Sequence, residues 1–353
     1  MHYKYRSRFR HLSAALAVSA VALVSACSST SSPSASNGAT GGGAVPGAAA
    51  TSGGSGSSGG SGGGGTGTVG MTLLSLQFPF LVNLSDSAKK EASTNNIKLI
   101  SLDPRGSVAT ETSQVENLIT QKVKVVVMIP VDQKESQAAA KKVNAANIPL
   151  ILTNNRFTDA FTQSGGKFVS FVGSDDAEAG KIEGDYLIKQ LPQGGNAVYI
   201  VNTYGASSTE RRKLGFNQAL QGHGNIKVVS EQQGHGSRAE GKTLIENYLT
   251  KYKAGQLQAV VAQTDEMALG AASAIKAAGR LGEFKVIIGV DGEAPALAAV
   301  KSGDMTATVF QDAVAQGSTA MDVARQVLDG KTPKSSYIIP FRLITKDNVS
   351  TMK

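Results

Sequence analysis

The chain has 353 residues, enough for two domains, with few aromatic residues and no tryptophan, so its core must be mainly aliphatic. The formal charge is +8, but four of the basic residues (Lys4, Arg6, Arg8, Arg10) lie in the first ten positions and no basic run follows, which gives no argument for nucleic acid as a partner. Cys27 is the only cysteine, so a disulfide framework is excluded and stability must come from the size of the core.

The basic start leads into an apolar stretch from Leu12 to Val24, too short to span a bilayer comfortably. Residues 1–27 therefore read as a secretion signal. The stretch ends in Val24-Ser25-Ala26-Cys27, which resembles the lipoprotein processing box. Small residues ahead of Cys27 suit the peptidase, and its thiol is the group that becomes lipid-modified. Residues 28–68 are almost wholly Ser, Gly, Ala and Thr without one charge. They cannot bury enough apolar surface to fold and read as a flexible tether with a reach of roughly 35 Å. The expected location is outside the cytoplasm, lipid-anchored to a membrane and facing the periplasm or the cell exterior.

From Val69 the texture becomes strand and helix in alternation. Apolar runs predict strands at 71–76, 97–102, 123–129, 149–153, 168–172, 197–201, 226–229, 259–262, 285–290, 307–310 and 337–344. Period-3.6 patterning predicts helices at 82–95, 110–121, 135–146, 178–190, 210–221, 238–252 and 294–301. A further helix, with Met267, Ala271 and Ile275 on one face, runs from the Thr264-Asp265-Glu266 triplet to Gly279. Such alternation implies an α/β fold with mainly parallel sheets, and this many strands suits two sheets, hence two lobes. The local pattern suggests only one cut, after Gly173.

Several turns at strand ends carry polar or aromatic groups. They are Leu76–Leu84 (LQFPFLVNL), Thr153–Phe157 (TNNRF), Gly205–Phe216 (GASSTERRKLGF), Gly234–Arg238 (GHGSR), Ala262–Ala271 (AQTDEMALGA), Gly289–Gly292 (GVDG) and the end of ATVFQ at Gln311. Open α/β sheets gather ligands at the carboxyl ends of their strands. None of these segments looks catalytic. His223 and His235 sit in Gly-flanked loops without a Cys or carboxylate at metal spacing, and no Ser stands in a G-x-S-x-G elbow. No glycine run has the spacing of a phosphate or dinucleotide loop. The sequence offers hydrogen-bonding groups and rings, so we expect a binder rather than an enzyme, with no cofactor and no metal.

AQTDEMALGA together with GVDG closely resembles the sugar-binding family of periplasmic binding proteins, ribose-binding proteins above all, and the likeness extends over essentially all of 69–353. It implies two doubly wound parallel-sheet lobes of the type I fold joined by a three-segment hinge. The crossings fall near Ser174/Asp175, Gln311/Asp312 and Ile339/Pro340. The implied lobes are 69–174 plus 312–339 and 175–311 plus 340–353. The resemblance makes Phe80 a ring that stacks on the sugar's C–H face, with Phe78 where ribose binders carry Asn and Leu81 where they carry a second Phe. Asn155 and Arg156 match the family's Asp-Arg pair, Arg212 its liganding arginine, and Thr264 its Asn. Asp291 takes the place of the acid that grips two vicinal hydroxyls, a strong charge-assisted contact when desolvated. Gln311 falls on the hinge position that bonds both sugar and backbone. Asp265 reads as the helix cap, Arg211 as solvated or paired, and either His235 or Gly236 stands where ribose binders place another ring.

The departures at Phe78, Leu81, Asn155 and Thr264 put ribose itself in doubt and leave another pentose, a hexose, a polyol or a cyclitol. A phosphate or carboxylate ligand stays open from the Gly205–Phe216 segment alone. The implied partners are such a small ligand, the membrane subunits of an ABC permease and, through Cys27, the membrane, with the protein a monomer. A sugar sensor presenting its closed form to a chemoreceptor or sensor kinase is the alternative, ahead of a carbohydrate-active enzyme. A repressor with the same core would need a DNA-binding helix-turn-helix where the leader and tether stand.

Overall fold

A computed structural model describes residues 67–352; the leader, Cys27 and all but the last two residues of the tether lie outside the described residues. The chain builds two six-stranded sheets of the same winding. The first holds β1 (Thr68–Thr72), β2 (Lys98–Leu102), β3 (Val125–Met128), β4 (Leu150–Thr153), β5 (Ser170–Gly173) and β11 (Ser336–Ile338), in the order β11-β5-β4-β3-β1-β2. The second holds β6 (Gly195–Val201), β7 (Ile226–Gln233), β8 (Ala259–Ala262), β9 (Val286–Asp291), β10 (Ala307–Phe310) and β12 (Arg342–Thr345), in the order β12-β10-β9-β8-β6-β7. Every pairing is parallel except β10 with β12. Each sheet reverses direction once, between β1 and β3 and between β6 and β8, which is where doubly wound sheets open a crevice for ligands.

The central strands β3, β4, β5, β8 and β9 are buried along their whole length, as parallel strands covered on both faces must be. Over the first sheet, α1 (Pro79–Thr94) and α10 (Ala313–Leu328) pack on one face, with Leu84, Ala88, Ala320 and Met321 against Val69, Met71 and Val127. On its other face lie α2 (Val108–Thr120), α3 (Gln137–Ala145) and α4 (Ala160–Gln163). Over the second sheet, α5 (Asp176–Gln190) and α6 (Ser207–Ala219) cover one face. The opposite face takes α7 (Arg238–Lys251), α8 (Asp265–Ala277) and α9 (Ala294–Ser302). The chain passes between the sheets three times: after β5, between β10 and α10, and between β11 and β12.

Two local expectations need correction. The run 337–344 is not one strand; it divides around Pro340 into β11 and β12, which belong to different sheets. The helix α10 was not expected, because Gly317, Ser318 and Thr319 weaken helix propensity at its middle. Its Gly317 is there for packing: a Cβ would stand 2.2 Å from the carbonyl oxygen of Leu84 on α1. Among the described residues, no helix is long and apolar enough to cross a membrane.

Candidate functional site

The carboxyl ends of the strands in the two lobes face one another across a cavity. Of the eight ligand residues expected from the sequence, seven line it: Phe78, Phe80, Asn155, Arg212, Thr264, Asp291 and Gln311. Arg156 does not. Its guanidinium lies 4.1 Å over the ring of Phe171, its Nη2 donates to the Ser174 carbonyl at 3.4 Å, and it lines a separate hollow with Phe157, Phe161 and Ile338. Burial and neighbouring Arg211 lower its pKa. The side chain next to Asn155 thus turns toward the inter-lobe crossing rather than the cavity.

The position of Arg212 follows from a close helix pair. A Cβ on Gly180 of α5 would stand 1.8 Å from the Arg212 carbonyl oxygen, and one on Gly215 of α6 would stand 1.9 Å from that of Ala177. Only glycines allow the two backbones to touch, which sets Arg212 beside Asp176 at the start of α5. Arg212 Nε donates to Asp176 at 3.0 Å, Nη1 to the Gln263 carbonyl at 2.6 Å and Nη2 to Gln311 Oε1 at 3.0 Å. Burial works against its charge, but Asp176, Asp291 and Glu183 outweigh burial and hold its pKa above the ordinary value. Arg211 instead pairs with Asp175.

Thr264 caps α8, its hydroxyl accepting from the Met267 amide. Asp265 is not the cap. It is fully buried, and its carboxylate accepts from the amides of Gly292 and Glu293 at 2.7 and 2.8 Å and from the Thr308 hydroxyl at 2.6 Å. Those bonds fix the turn after β9, where Asp291 is held at φ 132°, a conformation that only glycine adopts without strain. Burial, together with Glu293 and Asp265 nearby, pushes the Asp291 carboxyl well up, against the pull of Arg212.

The lobes also touch directly. Asn155 Nδ2 donates to the Pro130 carbonyl at 2.9 Å, while its Oδ1 accepts from the Ser207 hydroxyl and the Ser208 amide at 3.4 Å. The Gln133 amide donates to the Gly205 carbonyl at 2.9 Å. Gly236, at φ 63°, lies so near Phe78 that a Cβ would stand 2.4 Å from the ring. The Phe78 ring thus reaches across the cleft to the place where the family resemblance implies a second-lobe ring. His235 points away and bonds Glu240.

Sequence reasoning missed Asn154, Asn202, Ser208, Glu266 and Glu293, all of which line the cavity. Asn202 directly follows β6, so the strand-end rule that selected Thr264 would have found it. Glu293 lies two residues past Asp291, and its carboxylate accepts from the Phe80 amide at the start of α1. Three residues that line the cavity carry a buried polar atom without any partner: Asn202 Oδ1, Gln311 Nε2 and Glu293 Oε2. A buried polar group left unpaired costs about 1–3 kcal/mol, so these atoms have unmet capacity to donate or accept. Among the described residues, no group of three or more His, Cys, Asp or Glu side chains could hold a metal ion.

Comparison with known proteins agrees with this fold. A family model described as periplasmic binding protein domain matches residues 69–332. The ribose import binding protein of Salmonella typhimurium is 33% identical over 279 residues, covering 79% of this chain and 90% of the relative. The xylitol-binding protein of Mycolicibacterium smegmatis is 30% identical over 284 residues, covering 80% and 78%. The crystal structure of an ABC transporter solute binding protein from Bacillus halodurans with bound myo-inositol superposes with a TM-score of 0.76 at 32% identity, covering 82% of this chain and 98% of that one.

Proposed function

The chain belongs to the periplasmic binding protein family, in its type I sugar-binding branch, and on that premise we propose that it is the substrate-binding protein of an ABC importer. The cargo is one monosaccharide, polyol or cyclitol held between the lobes and delivered to the permease. One observation carries the reading: Asn202, Gln311 and Glu293, each with an unpaired buried donor or acceptor atom, line a cavity that also holds apolar rings. A polyhydroxylated ring satisfies both kinds of group, since each hydroxyl donates and accepts while its C–H face lies on Phe80. Contacts drawn from both lobes favour the closed state, because only that state makes them together. Related proteins, a ribose import binding protein, a xylitol-binding protein and a solute binding protein with bound myo-inositol, support this ligand class.

The lipobox-like Val24-Ser25-Ala26-Cys27 and the uncharged stretch behind it support a lipid anchor on a tether. Cys27→Ser is expected to move the exported protein into the soluble fraction; retention on the membrane would remove the anchor. The ligand class is tested by a thermal-shift screen of the full-length chain against pentoses, hexoses, polyols, inositols and sugar phosphates. A ligand at 100 times its Kd adds about 2.7 kcal/mol of stability, an easily visible shift. A hit among the neutral sugars, polyols or inositols supports the reading. A response to phosphorylated ligands alone would overturn it.

A further inference from the structure

The acidic residues around the cavity outnumber the basic ones. Among the described residues Arg212 is the one basic residue lining it, and Asp176 pairs with Arg212 at 3.0 Å. Glu266 on α8 is taken by Arg238 on α7, at 2.9 Å through Nε. Asp265, also on α8, is satisfied by three protein donors. Asp291 at the end of β9 has only the shared field of Arg212. Glu293 has a single backbone amide, that of Phe80, while Asp265 and Glu266 repel its charge and Arg238 offsets this only weakly. Glu293 is 8% exposed and lines the cavity, and its Oε2 is without a partner.

A neutral hydroxyl can donate to such an oxygen but cannot stabilise the ionised carboxylate against its acidic neighbours. A ligand ammonium does both, and hydrogen bonds to charged groups are the strong ones. We propose that the cargo is an aminated polyol, a monosaccharide or cyclitol carrying a protonated amine, and that Glu293 beside Asp291 is the residue that selects it. This rests on the reading of the cavity as a polyol site. In the ligand-free protein, burial and the neighbouring Asp265 push the Glu293 carboxyl up to about 8. Below that pH it waits as the neutral acid. Docking an ammonium then expels its proton to solvent, leaving an ammonium–carboxylate pair.

The test is calorimetry on the full-length chain at pH 6.5 with matched pairs: D-glucose and D-glucosamine, D-galactose and D-galactosamine, myo-inositol and its monoamino-deoxy derivative. At least one amine is expected to bind about tenfold or more tighter than its neutral partner. Titration in buffers of different ionisation enthalpy should register release of up to about one proton with the amine. Glu293→Gln is expected to reduce the amine-to-neutral ratio by about tenfold and to remove the proton release. If that variant does not fold, the wild-type ratios and proton count decide alone. Neutral members binding as well as or better than every amine would overturn the amine proposal and leave the polyol reading standing. Silence from all six would overturn both.

Discussion

The first-lobe wall of the cleft presents Leu74, Phe78, Phe80, Asn154 and Asn155, rings, aliphatics and amides without a charge, whereas Arg212, Glu266, Asp291 and Glu293 all stand on the second-lobe wall. The charged wall is set by bonds within its own lobe and at the crossing: Asp176, the Gln263 carbonyl and Gln311 fix Arg212, and Asp265 fixes the turn that carries Asp291. The geometry of Arg212 and Asp291 therefore does not depend on closure. The uncharged wall contributes what closure adds: Phe78 against Gly236 and the Phe80 amide on Glu293. Directional recognition is pre-organised on one side, and shape and desolvation arrive from the other.

The largest expected effect separates the two arginines. Arg212→Ala leaves Asp176, which is 2% exposed, as an unpaired buried charge, and is expected to cost about 3–5 kcal/mol of stability along with ligand binding. Arg156→Ala should cost far less on both counts, because its contacts are one ring and one long hydrogen bond. Denaturant titration and calorimetry check this; equal losses in the two variants would erase the distinction.

Next is strain at Asp291. Asp291→Gly removes both a buried carboxyl and an unfavourable backbone conformation, so the ligand-free protein should gain about 1–3 kcal/mol while its ligand-induced stabilisation disappears. Loss of stability in that variant would show that Asp291 supports the fold rather than the ligand.

A smaller effect probes the uncharged wall. Gly236→Ala should cost about 1 kcal/mol from its positive φ and weaken ligand binding by crowding Phe78. Adding Phe78→Ala should restore part of that binding, because the clash is removed; strictly additive losses would deny the cross-cleft contact.

A pH effect probes the charged wall in turn. The Glu293 carboxyl is raised from 4.5 to about 8 in the ligand-free fold, so the native state holds more protons than the unfolded state across that window. Its stabilising contribution is fully present below about 4.5 and is lost as pH rises through about 8. Glu111 in the first lobe, raised by burial to about 7, acts in the same direction over a narrower range. Thermal unfolding followed from pH 5 to 8.5 should show declining stability, and Glu293→Gln should flatten its upper part while Glu111→Gln flattens only the lower. An unchanged upper slope in Glu293→Gln would remove that assignment.

Much of the fold was legible because a strand buried on both faces leaves a continuous apolar run, and because Asn155, Thr264, Asp291 and Gln311 each come at or just after such a run. What was illegible depended on partners distant in sequence. Arg156 follows Asn155, yet its direction is set by Phe171 and Ser174. Asp265 has the sequence position of a cap, yet it serves the turn after β9, more than twenty residues away. Glu293 begins a helix, where an acid ordinarily complements the dipole; its place in the cavity depends on Phe80 from the other lobe. The helix α10 was obscured by the small residues that let it approach α1.

The most direct test of the account is calorimetric titration of a ligand found in the screen against the wild-type chain and Asp291→Ala. One site per chain in the wild type, with binding lost in the folded variant, is the predicted result. Undiminished binding by Asp291→Ala would place the ligand elsewhere and contradict the assignment of this cleft.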